Sequence, residues 1–290
     1  SRLGQSQIIK THETWIIFSN IQTYCLSTTI WFLKKMNKIL THGHCSARYK
    51  WPTWPNFLSS YITDATVINL AKPGIGNETI ARDVVNAVSK FAGISHIYIM
   101  WGAPHRYDLF TEGKQEINND KDSWSMYDND FDWTVTYNGH YNSQPHAVFD
   151  RLKTLENILY TQLVLEKNEI NYTMMIYDTR TLPEDVVFTK PEIALKDQID
   201  WSKFLFYKDK FGLRDFAYQV YPSQFPIEDN TKGDRHLHPL PYAHYKWVKE
   251  IMFKSESPIE DESKYKTWKI EDGHWMGEAK QQIPYETKNA

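Results

Sequence analysis

"GHCSARYKWPTWPNFL", residues 43–58, is the stretch on which the fold turns. It opens with a glycine behind a short apolar run, Lys38-Ile-Leu-Thr41, and closes in aromatics and prolines that read as a helix start. Lys38–His42 is therefore expected to be a strand and Trp54–Ile62 a helix. A glycine, then Cys45 and Ser46, at a strand-to-helix turn is a place where a nucleophile can be presented, because glycine permits a sharp, closely packed turn. The sulfur of Cys45 and the oxygen of Ser46 are the two candidate attacking atoms.

The same rhythm runs outward from this turn. Thr66-Val-Ile-Asn-Leu-Ala71 is a β-branched run that reads as a buried strand. "KPGIGNET", residues 72–79, breaks it, and Asn77 is expected to cap a helix along which Ile80, Val84, Val85, Val88 and Phe91 recur at helical spacing. His96–Trp101 is a third strand. Val148, Leu152, Leu155, Leu159 and Leu163 mark a long helix from Pro145 to about Lys167, and Tyr172–Tyr177 is a fourth strand. Residues 180–230 are mixed and proline-interrupted, which predicts loops and short helices. Pro241 opens a last helix with Trp247, Val248, Ile251 and Met252 on one face. Strands alternating with helices argue for parallel strands joined by crossover helices, an α/β domain.

Three segments depart from that pattern. Residues 1–35 read as an N-terminal extension, either non-native or a weak membrane anchor. Thr14–Leu33 is twenty residues without a charge, followed by Lys34-Lys35, but polar residues interrupt it throughout. Residues 105–145 hold eight acidic residues and no clear period, and read as a long loop or insertion over one end of the sheet. Within them "DNDFDW", 128–133, resembles the start of a calcium loop. Trp133 stands where such a loop needs glycine, and Gly139 where it needs an acid. Residues 254–290 read as a polar tail that packs only in part. The remaining span, 36–253, is the expected domain.

The bulk numbers narrow the function. A chain of 290 residues with 41% apolar and 24% charged residues has enough apolar material for a real core. A net charge of −3 gives no general attraction to nucleic acid or anionic membrane, so neither is an expected partner. Two cysteines, Cys25 and Cys45, build no disulfide framework, and CxxC zinc spacings are absent. A cytoplasmic protein without a cofactor is the expectation, and composition leaves the oligomeric state open.

Chemistry is expected at three places that follow strands or precede helices, since ligands of open α/β sheets bind at the carboxyl ends of the strands. The first is Gly43-His-Cys-Ser46. The second is Pro73-Gly-Ile-Gly-Asn77, neither a P-loop nor GxGxxG, because Thr79 stands where the last glycine belongs. Gly74 and Asn77 there are candidate oxyanion-hole donors. The third is "GDRHLHPLPYAH", 233–244, with Asp234, His236, His238 and His244. A histidine held by an acid and aimed at a nucleophile is the logic of a catalytic triad. His42, His44, His236 and His238 as a four-histidine metal site is the competing reading.

Four blocks, "GHCSARYKWPTWP", "NLAKPGIGN", "WGAPHRYD" and "HLHPLPYAHYKW", together resemble the SGNH (GDSL-type) hydrolases. The nearest flavour is the branch with G-C-S-F-T…W-P-T-W first blocks, common in phage and marine sequences. The resemblance spans residues 36 to about 253. It implies a three-layer α/β/α domain with a mostly parallel five-stranded, flavodoxin-like sheet, and metal-free ester hydrolysis. Gly74 matches the second-block glycine and His238 the catalytic histidine. Without gaps from Gly43 to Trp51, Cys45 falls at the nucleophile position. A one-residue slip would place Ser46 there and lose the glycine. His236 stands where the family has Asp, with Asp234 two residues further back, and Gly102, Ala103 and Pro104 offer no match for the third-block Asn.

The expectation is an esterase or deacylase of a small ester or O-acylated glycan, with Cys45 or Ser46 attacking, His238 as base, and Trp51, Trp101 and Arg106 lining the substrate groove. A catalytically impaired binding protein of the same fold and a metal-dependent hydrolase are the alternatives.

Overall fold

The structure, a computed structural model, describes residues 8–11, 14–17, 37–49, 51–104, 106–111, 123–125, 133–138, 144–183, 186–224, 238–255, 258–259 and 261–266. The chain divides into two units, Ser1–Met36 and Asn37–Ala290. In the first, β1 (Ile8–Thr11) and β2 (Thr14–Ile17) pair antiparallel, with Ile8 opposite Ile17 and Thr11 opposite Thr14. The uncharged stretch thus begins as a strand, and its later residues lie outside the described ones. Among the described residues no helix is long and apolar enough to cross a membrane.

The second unit runs β3 (Asn37–Gly43), α1 (Trp54–Tyr61), β4 (Ala65–Asn69), α2 (Asn77–Lys90) and β5 (Ile94–Trp101). It continues through β6 (Arg106–Thr111), β7 (Ser123–Ser125), β8 (Trp133–Asn138), α3 (Gln144–Lys167) and β9 (Asn171–Ile176). Then come α4 (Lys190–Lys196), β10 (Phe204–Leu205), α5 (Leu213–Val220), α6 (Pro241–Lys246) and α7 (Ser263–Lys266). The main sheet has five strands in the order β10-β9-β5-β3-β4, every pair parallel. The chain therefore winds to one side of β3 for β4 and to the other for β5. That reversal is a topological switch point, and it opens a crevice at the carboxyl ends of β3 and β5. Gly43 lies opposite Met100 in the register, so the turns after Gly43 and Trp101 meet there.

Alternation along the strands builds three layers. Leu40, Ile97, Ile99, Trp101, Met174 and Ile176 point to the face covered by α2 and α3, through Ile80, Val84, Leu155, Ile158 and Leu165. Ile39, Met100 and Met175 point to the other face, which α1, α5 and α6 cover with Trp54, Phe57, Leu58, Phe216 and Tyr245. Trp54, Trp101 and Trp247 are among the largest fully buried side chains. Full burial of a large apolar side chain contributes roughly 1.5–3 kcal/mol.

The expected strands and helices form within one or two residues of the sequence reading, and three differences stand out. The N-cap of α2 is Gly76, not Asn77, because the Asn77 side chain is drawn across to Gly102. The segment read as an aperiodic insertion contains a three-stranded antiparallel sheet, ordered β6-β8-β7, with Arg106 opposite Asn138 and Thr111 opposite Trp133. The last helix is α only through Lys246 and continues as a π-helical turn over Trp247–Phe253. Of the calcium-like stretch only Trp133, in β8, is described. The tail read as packing in part does so in α7, where the Tyr265 ring meets Phe57 at 4.9 Å, edge to face.

Candidate active site

The turn that leaves β3 is tight for steric reasons. A Cβ on Gly43 would stand 3.0 Å from Ala47 Cβ and 3.1 Å from the Met100 carbonyl oxygen, so glycine lets the turn fold onto β5. The Ala47 N–H donates to the His44 carbonyl at 2.8 Å and closes it. The Ala47 carbonyl then accepts from Asn69 Nδ2 at 2.9 Å and from Thr53 Oγ1 at 2.8 Å, which pins the turn to the end of β4 and to the cap of α1.

His42, the last side chain before the turn, is fully buried. Its Nδ1 accepts the Gly43 N–H at 2.8 Å, so the ring proton is on Nε2, facing Asp83 Oδ2 at 3.4 Å. Lys72 Nζ meets the same oxygen at 3.1 Å. Burial raises the Asp83 carboxyl, but the contact with His42 and the charge of Lys72 more than offset it and hold the group at about 2.

Past Gly43 the turn brings the side chains of His44, Cys45 and Ser46 together. His44 Nδ1 is 3.2 Å from Cys45 Sγ and 3.3 Å from the Ser46 N–H, which donates to it. His44 Nε2 is 3.2 Å from Ser46 Oγ, and that hydroxyl donates to Met100 Sδ at 3.2 Å. The ring is clamped. The Tyr177 ring meets it edge-on, centroids 4.9 Å apart. A Cβ at Gly102 would lie 2.8 Å from His44 Cδ2, so the imidazole occupies space that only glycine leaves. Gly102 is itself fixed by Asn77: its N–H donates to Oδ1 at 2.8 Å and its carbonyl accepts from Nδ2 at 3.1 Å. Thr181 Oγ1 donates to the same carbonyl at 3.0 Å. Thr181 sits in the turn capped by Asp178, a buried carboxylate at the end of β9 that receives Arg180 and lies 3.6 Å from Arg214.

The residues singled out from sequence fall into distinct places. Both candidate nucleophiles are buried, Ser46 wholly and Cys45 with 6% of its surface exposed. His238 reaches the neighbourhood through rings: Tyr49 at 4.3 Å and Tyr177 at 6.4 Å, Tyr177 also touching His44. Trp51 Nε1 donates to the Pro239 carbonyl at 2.9 Å, tying the His238 segment to the first turn. Trp51 is thus a buried brace instead of a groove wall. Trp101 is fully buried under α2 and α3 and lines no groove, because β5 turns it to the core face. Asn77 gives both side-chain amide hydrogens away, to Gly102 and to Thr154 Oγ1 at 3.1 Å, so its side chain serves as a bracket and not as an oxyanion donor. Gly74 has φ of +86°, a left-handed turn that favours glycine, just ahead of α2. Asp234 and His236 lie outside the described residues, as does the Arg106 side chain.

His44 is what the sequence reading missed as a partner for Cys45 and Ser46. Its signal was its position beside Cys45 after a glycine, where a coiled turn can fold one side chain back onto the next. Among the described residues no three His, Cys, Asp or Glu gather as a metal cluster, and His42 and His44 face different partners. Comparison of the chain with protein-family models and with curated proteins finds no match.

Proposed function

We propose that the protein is an SGNH-like acyl hydrolase of small esters or acylated glycans, with Cys45 as nucleophile and His44 as its base. The observation that carries this reading is the 3.2 Å contact between Cys45 Sγ and His44 Nδ1 in a turn at the switch point of the sheet. The thiolate is the attacking form of cysteine, and an adjacent imidazole that accepts its proton supplies it. His44 Nδ1 takes the Cys45 proton, the sulfur adds to the ester carbonyl, and the collapsing intermediate expels the alcohol with that proton. The resulting thioester is cleaved by water, which returns the thiol and releases the acid. The Gly74 backbone N–H, in the left-handed turn between β4 and α2, is the proposed oxyanion donor. His238, next to Tyr177, is assigned to the far side of the substrate.

A second reading, a protein of this fold that binds its ester without turning it over, is favoured by one observation. The Gly102 N–H, a donor at the crevice, is already taken by Asn77. Turnover of p-nitrophenyl acetate by the full chain separates the two. Cys45→Ala and His44→Gln should each lower it by about 10² or more, the usual worth of a nucleophile or its base. Turnover unchanged in Cys45→Ala would end the cysteine reading. Activity lost in His238→Ala but kept in His44→Gln would return the base to the third block.

A further inference from the structure

We infer that Ser46 is a positioning residue that sets the tautomer of His44, an inference that rests on the Cys45 reading above and deepens it. The backbone contact at Nδ1 selects one set of protons. The Ser46 backbone N–H donates to His44 Nδ1, so Nδ1 carries a lone pair and the ring proton is on Nε2. Nε2–H then donates to Ser46 Oγ, and the hydroxyl hydrogen goes on to Met100 Sδ. The Nδ1 lone pair that results lies 3.2 Å from Cys45 Sγ, where it accepts the thiol proton.

The opposite tautomer would set Nδ1–H against the Ser46 N–H, two donors face to face, and would turn Nδ1 from acceptor to donor toward Cys45 Sγ. Ser46 thus grips the ring at both nitrogens from one residue, by its main chain at Nδ1 and its side chain at Nε2. When Nδ1 takes the thiol proton it gives up the long 3.3 Å bond from the Ser46 N–H, while the imidazolium keeps its Nε2–H bond to Ser46 Oγ, so the hydroxyl is the contact that stabilises the charged ring. Its complete burial fits that task and not attack on a substrate. Met100, at the end of β5 opposite Gly43, orients the hydroxyl so that its lone pair faces Nε2.

The test is the pH dependence of Cys45 alkylation by iodoacetamide, which reads the thiolate directly and needs no substrate. Full-length protein carrying Cys25→Ala leaves Cys45 the single thiol. Ser46→Ala should move the profile up by about one pH unit, slowing alkylation about tenfold at neutral pH. Ser46→Thr, which keeps the hydroxyl, should restore it. Met100→Leu should shift it the same way by less, and decides the matter if Ser46→Ala fails to fold. Superimposed profiles for the parent and both hydroxyl-row variants, Ser46→Ala and Met100→Leu, would overturn the inference. So would loss of ester turnover in Ser46→Ala with alkylation unchanged, since Ser46 would then be the nucleophile. A Ser46-dependent profile in a protein that turns over no ester would leave the tautomer role standing and remove the hydrolase reading alone.

Discussion

One methyl group at residue 102 would reach the centre of the site. Gly102→Ala places a carbon 2.8 Å from His44 Cδ2, a separation the ring can relieve only by moving off Cys45 and Ser46. The expected result is a folded protein whose ester turnover falls by about 10²-fold, the worth of a positioned base. Intact near-ultraviolet circular dichroism beside lost activity would show that the ring alone had moved. At this scale the sequence was partly legible. Gly43 and Cys45 stood out because a glycine before a reactive side chain at a strand end is a local pattern. The separate contacts of the sulfur and the hydroxyl were not legible, because they depend on how the turn folds against His44 and Met100. The pairing of His44 with its own neighbour depends on Gly102 and Tyr177, remote in sequence and brought together only by β5 and β9 lying side by side.

Among the elements, α2 carries more than its apolar face. Its first residue makes three hydrogen bonds, two that hold Gly102 at the end of β5 and one to Thr154 of α3. Asn77→Ala should cost about 3 kcal/mol, since it leaves the buried Gly102 N–H unpaired and strips one bond from its carbonyl. Chemical denaturation of the variant measures that loss. A cost near zero would mean the loop holds Gly102 unaided. The strands and helices around α2 were readable because their apolar spacing is regular. The fifth strand was not, since β10 is two residues long, too short for any alternation. The capping role read for Asn77 failed because the side chain had a better partner across the sheet. The π-helical turn after α6 was also invisible: Lys254 N–H bonds back to the Lys249 carbonyl, five residues away, a change of backbone that leaves the apolar spacing of Trp247, Val248 and Ile251 intact. The sheet of β6, β7 and β8 was missed because its short strands are interrupted by long acidic stretches.

For the whole molecule, acid should act in two stages. Burial, with the Lys203 charge, pushes His96 down to about 4, and burial with the His238 charge pushes His244 down to about 3. Both rings are neutral in the fold at pH values where the unfolded chain, titrating near 6.5, binds protons. Their contribution is complete above 6.5 and is lost as the pH falls toward 4 and 3. Asp83, held at about 2 against 3.8, has the other chemistry and a lower window: its contribution is present above about 4 and disappears as pH falls through 2. Denaturant midpoints between pH 8 and 3 should therefore decline from about 6.5 downward. His96→Gln should flatten the upper part of that decline, and an equal slope in the variant would contradict the assignment. The two margins of the main sheet, finally, are unequal templates for another chain. β10 offers two residues, whereas β4 offers five, Ala-Thr-Val-Ile-Asn, with no charge or proline to repel a partner. Sheet extension by a second copy would use the β4 margin of each molecule, and such a pair, with only β10 left facing outward, terminates where a two-sided sheet would go on to polymerise.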